Sequence, residues 1–221
     1  MKPQTTIDSA TTPDGKEIVL YERDGVFTIR VNGLELMSSR VHGSEEAMAT
    51  LTMAEIRAAA PHVLVGGLGM GYTTRAVLDH LGPQGRVSVA ELLPEVVRWN
   101  REHLGRLAGS PLDDPRVELV EDDVARVMSA GPATFDAVML DVDNGPAALT
   151  DIRNERLYRA TGLAVARRCL RPRGILAVWS ASPDRDFERA LSAAGFQVRV
   201  ETVRARPGAK GPRHTIFIAG T

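Results

Sequence analysis

One stretch limits the fold more than any other: Val63-Leu-Val-Gly-Gly-Leu-Gly-Met-Gly-Tyr72, an apolar run that passes straight through a glycine turn into a helical pattern. Gly67, Gly69 and Gly71 let the chain turn tightly and bring its backbone against a ligand, where any Cβ would collide. The unpaired N–H groups at the helix start then face that ligand. A strand, such a turn and a helix form the first unit of an α/β sheet that binds a nucleotide at the carboxyl ends of its strands.

The rest of the chain extends that unit. Apolar runs at 62–65, 87–90, 117–120, 137–140 and 175–179 are separated by helical stretches near 73–81, 94–104, 124–128 and 154–170. Such alternation predicts a parallel sheet with helices on both faces. After a short helix at 184–194, strands at 196–203 and 214–219 are joined by a loop too short for a crossover helix, so they pair as an antiparallel hairpin at the sheet's later edge. The expected fold class is α/β: a Rossmann-like class I methyltransferase fold with a mostly parallel seven-stranded sheet and a terminal antiparallel hairpin.

Ahead of it, 17–38 reads as three short strands with tight turns at Asp24-Gly25 and Asn32-Gly33. From Ser44 to about Ala60 the pattern is helical: Ser44 can cap, Glu45 and Glu46 suit the positive helix end, and Met48, Leu51, Met53 and Ile56 supply apolar contacts. The organisation expected is a flexible tail over 1–16, a small β-meander over 17–43 and a nucleotide-binding catalytic domain over 44–221. The meander has too little chain to bury both its faces, which predicts a homodimer or larger assembly.

The net charge of −1 gives no electrostatic reason to expect a nucleic acid or an anionic membrane as partner. The first residues are polar and no segment has a membrane-spanning apolar length, so a cytoplasmic protein is expected. The single cysteine, Cys169, lies in an apolar helical pattern and reads as a core side chain. No metal site is expected.

The dinucleotide fingerprint needs G-x-G-x-x-G, and counted from Gly67 its last place falls on Tyr72. The spacing G-x-G-x-G is the form familiar from S-adenosylmethionine enzymes. Glu91 closes the second strand about 20 residues on, where an acid can accept bonds from both ribose hydroxyls. The third strand runs into Glu121-Asp122-Asp123: Asp123 is the better placed acid for an adenine amino group, and Asp122 suits a cap on the next helix. The fourth ends in Asp141-Val-Asp-Asn-Gly-Pro146, a loop that faces the reacting end of the nucleotide. Asp141 is expected to bind the nucleotide and orient the reactants, and Asp143 to act as the base that frees an amine nucleophile. Tyr72 and His42 are weaker candidates.

In order and in kind, the glycine turn, Glu91, the block from Asp114 to Asp123 and the block from Phe135 to Asn144 resemble the spermidine synthase, or aminopropyltransferase, superfamily. The resemblance implies a donor that is S-adenosylmethionine or its decarboxylated form, and a small acceptor, an amine or polyamine. It also departs: aminopropyltransferases usually carry an aspartate where the turn here has Leu68 or Met70, and Asn144 stands where a second loop aspartate would be. No acid-rich polyamine-recognition stretch is evident at 38–46. Aminopropyl transfer therefore stands beside two alternatives, a methyltransferase on the same scaffold and a nucleotide-binding protein without chemistry.

Overall fold

The computed structural model describes residues 3–12, 15–142, 145–146, 152–206 and 211–221, with the backbone alone at 152–154. At its centre lies β5 (His62–Gly66), buried along its whole length. Around it, β6 (Arg86–Ala90), β7 (Val117–Val120), β8 (Phe135–Leu140) and β9 (Leu170–Ser180) are parallel. β10 (Gln197–Arg204) and β11 (Arg213–Gly220) complete a seven-stranded sheet in the order β10-β11-β9-β8-β5-β6-β7, with β11 antiparallel to both neighbours. Val63, Leu64 and Val65 read as a continuous apolar run because a central parallel strand meets helices on both faces. Strand order reverses between β5 and β8, the switch point beside which open α/β sheets hold their ligands.

The N-terminal region is a four-stranded antiparallel sheet of β1 (Thr5–Thr11), β2 (Glu17–Arg23), β3 (Val26–Val31) and β4 (Leu34–Ser38). The expected turns form, with positive φ at Asp24, Gly25, Asn32 and Gly33 as a two-residue hairpin turn requires. The flexible tail expected over 1–16 is corrected: Thr5–Thr11 pairs with β2 from Thr5↔Glu22 to Thr11↔Glu17. This strand is polar because it is a half-exposed edge, and Asp8 anchors it by accepting bonds from the Trp99 indole N–H at 2.6 Å and from Arg98. Ile18, Leu20, Phe27 and Ile29 are buried in the same core as Val65 and Met48. That inner face is thus covered by the chain itself, and its burial needs no second copy.

Two helices differ from expectation. The stretch near 154–170 is α5 (Ile152–Tyr158) and α6 (Ala160–Cys169), parted at Arg159, whose ψ of 164° is extended. Gly162 permits the close turn, since a Cβ there would stand 2.2 Å from the Arg156 carbonyl oxygen. The stretch near 94–104 is α3 (Pro94–Trp99) followed by a π turn at Asn100–Leu104. The first π-turn residue sends its amide to the glycine turn, with Asn100 Nδ2 donating to the Gly69 carbonyl at 2.8 Å. The remaining helices are α1 (Gly43–Glu55), α2 (Tyr72–His80), α4 (Val124–Ser129) and α7 (Arg185–Ala193). Among the described residues no helix is long and apolar enough to cross a membrane.

Candidate active site

A cleft of about 980 Å³, open at its mouth, lies where the carboxyl ends of β5 to β8 meet the N-terminal sheet. Gly67, Gly69, Glu91, Asp122, Asp123 and Asp141 line one wall; Lys16, Ile18, Ile29, Val31 and Met37 roof it. The glycine turn needs its glycines twice over. Gly67 has φ of 92°, and a Cβ there would stand 2.5 Å from the Asp141 carbonyl oxygen. Gly71, φ 86°, is the residue before α2 and packs on Pro111; unlike Gly67 and Gly69, it does not line the cleft.

Glu91 is held where the β6 spacing placed it. Its carboxylate accepts the Leu68 N–H at one oxygen and the Leu93 N–H at the other, each at 2.9 Å. Burial raises its pKa, and those backbone donors oppose the rise. The acid thereby ties the glycine turn to the end of β6 while lining the cleft. At the end of β7 the capping assignment is reversed: Asp123, with extended backbone, accepts the Ala125 N–H at 2.8 Å and caps α4. Asp122 accepts the Asp123 N–H and pairs with Arg126 instead. Both acids line the cleft, so spacing alone did not tell the cap from its neighbour.

Asp141 ends β8 and lines two spaces at once, the cleft and a second cavity of about 1140 Å³ that is also open to solvent. The Thr73 hydroxyl, from the first turn of α2, donates to its Oδ2 at 2.6 Å. Facing it across the second cavity is Glu45, from the first turn of α1. Burial pushes Asp141 up to about 6 against the opposing Thr73 bond. Glu45 is pushed up to about 7, by burial first and by the Asp141 charge second. Leu68, Met70 and Trp179 form apolar walls, with Tyr72 and His214 at the sides, and no lysine or arginine lines this cavity among the described residues. Tyr72 stacks on the His42 ring at 4.1 Å and donates to the Ser39 carbonyl at 3.3 Å.

Asp143 and Asn144 lie outside the described residues. Glu45 is the site acid that the sequence reading missed, because its position in a first helical turn is fully accounted for by the helix dipole. Nothing in local spacing reveals that α1 abuts the end of β8. Cys169 is buried, and burial raises its thiol to about 12, consistent with a core side chain. Among the described residues no group of three or more His, Cys, Asp or Glu could hold a metal ion.

Several known proteins are similar to this chain. A family model described as "Spermine/spermidine synthase domain" matches residues 41–192. Polyamine aminopropyltransferase 2 of Pseudomonas aeruginosa is 37% identical over 120 residues, 52% of this chain and 32% of the relative. The polyamine aminopropyltransferase of Prochlorococcus marinus is 32% identical over 145 residues, covering 64% of this chain and 45% of the relative. The chain thus spans less than half the length of these curated relatives. Among solved structures, spermidine synthase from Thermotoga maritima superposes with a TM-score of 0.76 at 20% identity, over 97% of this chain and 72% of that one. A spermidine synthase in complex with the transition-state analogue AdoDATO gives 0.75 at 19%, over the same shares.

Proposed function

Because the chain belongs to the spermine/spermidine synthase domain family, we propose that it moves the aminopropyl group of decarboxylated S-adenosylmethionine to a small amine. The observation that carries this reading is the partly buried pair Glu45 and Asp141, which line one cavity while Asp141 also lines the nucleotide cleft. Two carboxylates raised by burial, with no lysine or arginine lining the same space among the described residues, favour a cationic occupant. The aminopropyl arm ends in an ammonium group, and an amine acceptor is a second cation. The intact donor's carboxylate would instead meet two like charges.

The apolar Leu68 and Met70, where the family usually has an aspartate, point by themselves to the methyl donor. Glu45 changes that balance, since it returns an acid to the same cavity from a different element. The residues then take distinct roles. Glu91 accepts from the ribose hydroxyls, Asp122 or Asp123 from the adenine amino group, and Gly67 and Gly69 let the backbone approach. Asp141 orients the donor's arm against the acceptor. The nitrogen lone pair attacks the carbon on the sulfonium in line, the carbon–sulfur bond breaks and sulfur keeps its electrons. The protein contributes positioning and a field that suits the charges.

Calorimetry with the two donors tests the reading. Decarboxylated S-adenosylmethionine should bind at least about tenfold tighter than the intact form, a preference of about 1.4 kcal/mol. Glu45→Gln should shrink that preference. Equal or tighter binding of the intact donor would turn the assignment to methyl transfer.

A further inference from the structure

An amine reaches a protein at neutral pH as an ammonium ion, which has no lone pair for attack. The cavity must therefore remove a proton as well as hold a cation. A hydrogen-bonded chain leads out of it from Glu45. The Ser44 hydroxyl donates to Glu45 Oε2 at 2.6 Å, and Ser44 Oγ lies 2.8 Å from His214 Nδ1. Ser44 is wholly buried, while His214 is half-buried and lines the same cavity. Residues 170 apart in sequence meet here because the β10–β11 hairpin runs beside the start of α1, where the Gly43 N–H donates to the carbonyl of Ala205, just past β10, at 2.9 Å. The His214 ring is held edge-on against Trp179, centroids 4.6 Å apart.

Serine has one hydroxyl hydrogen, and an ionised Glu45, 2.6 Å away, can only accept it. Ser44 must then accept from His214, which puts the imidazole proton on Nδ1 while Glu45 is ionised. When Glu45 holds a proton both bonds reverse: Glu45 donates to Ser44, Ser44 donates to Nδ1, and the neutral ring carries its proton on Nε2. The second arrangement holds one more proton than the first: passing it through Ser44 to Nδ1 gives an imidazolium, and release of the Nε2 proton returns the first arrangement.

We propose that Glu45, Ser44 and His214 form the route by which the acceptor's proton leaves the cavity, Glu45 taking it, Ser44 passing it on and His214 releasing it to water. This rests on the reading that the acceptor is an amine. The balance closes: ammonium plus sulfonium gives a secondary ammonium, a neutral thioether and one proton. The nitrogen–carbon bond replaces the carbon–sulfur bond, and no oxidant or reductant enters. Glu45 is the catalytic group, while Ser44 and His214 act through it. The groups facing Glu45 are Asp141 from β8, Tyr72 from α2, Glu46 beside it and Glu35 from β4. His214 faces Ser44, Trp179 and Pro212, none of them charged. Burial and the Asp141 charge raise Glu45 to about 7, so it can take up a proton near neutral pH, and burial lowers His214, which favours release of a proton that reaches its ring.

The decisive measurement is a pH titration of the full chain without substrate, following the His214 ring nitrogens by ¹⁵N NMR and the Glu45 carboxyl by ¹³C NMR. The expected result is an Nδ1–H ring at high pH that passes to Nε2–H as Glu45 gains its proton. In Ser44→Ala and in Glu45→Gln that exchange should vanish. A tautomer that stays the same while Glu45 titrates in the unaltered protein overturns the proposal, whatever the variants do. Turnover with 1,4-diaminobutane and decarboxylated S-adenosylmethionine gives a second readout. His214→Gln should lower kcat about 10- to 100-fold at pH 7, part of the range for a lost proton-transfer partner, with nucleotide affinity unchanged. The deficit should shrink as pH rises, and added imidazole should restore rate to His214→Ala. A loss independent of pH and of imidazole contradicts the relay. Because the NMR titration needs no substrate, absent turnover bears on the amine reading and not on the relay.

Discussion

At the scale of single residues, Glu91 does two things: it fastens the glycine turn through the Leu68 N–H and it lines the cleft. Glu91→Ala should therefore weaken any adenosine-containing ligand by about 1.5 to 3 kcal/mol, the range for losing a charged hydrogen-bond partner. Calorimetry checks this, and an unchanged affinity removes Glu91 from the site. Glu45 and Asp141 make a pH prediction. Both carboxyls have raised native pKa values, so between the unfolded value near 4 and the native values of about 6 and 7 the folded chain holds more protons than the unfolded one. Stability is then highest below that window and falls as pH rises through it. Glu45→Gln should flatten the fall and raise Tm at pH 8, read by thermal unfolding at pH 5 and pH 8; a steeper fall contradicts the assignment. Glu91 was legible in the sequence because its distance from the glycines is set by one βα unit. Glu45 was not, because its neighbour Asp141 is supplied by a strand almost a hundred residues away.

At the scale of elements, the buried strands and the two hairpin turns were legible, since continuous apolar runs and Asp-Gly or Asn-Gly pairs each express one local constraint. β1 was not: its Thr-rich sequence carries no apolar alternation, and what holds it is the pairing with β2 and the bonds from Trp99 and Arg98 to Asp8. The division of α5 from α6 was hidden as well, because the apolar spacing runs on through Arg159 and only backbone packing at Gly162 marks the break. The cap of α4 offers a test that separates fold from ligand. Asp123→Ala should cost about 1 kcal/mol of stability, the usual value of an N-cap. Asp123→Asn should keep the cap while removing the charge over the cleft. If denaturant unfolding shows the same loss for both, the cap is not what Asp123 contributes to stability.

At the scale of the whole molecule, the N-terminal sheet and the larger sheet share one core, and the cleft between them is roofed by Ile18, Ile29 and Met37. Leu20, fully buried beside that roof, ties the two: Leu20→Ala should cost about 2 to 5 kcal/mol and also weaken nucleotide binding as the roof loosens. Loss of stability with full affinity would mean that the roof does not shape the site. The alternation of strand and helix made the larger sheet legible from sequence, but the way the smaller sheet closes over it depends on contacts between distant segments. What leaves the cleft after reaction distinguishes aminopropyl from methyl transfer. With decarboxylated S-adenosylmethionine and a panel of small amines, mass spectrometry of the nucleotide product should find methylthioadenosine together with an aminopropylated amine. If the same panel instead gives methylated amine and S-adenosylhomocysteine from intact S-adenosylmethionine, and nothing from the decarboxylated donor, the carboxylate pair does not select an aminopropyl arm and the proposed activity is wrong.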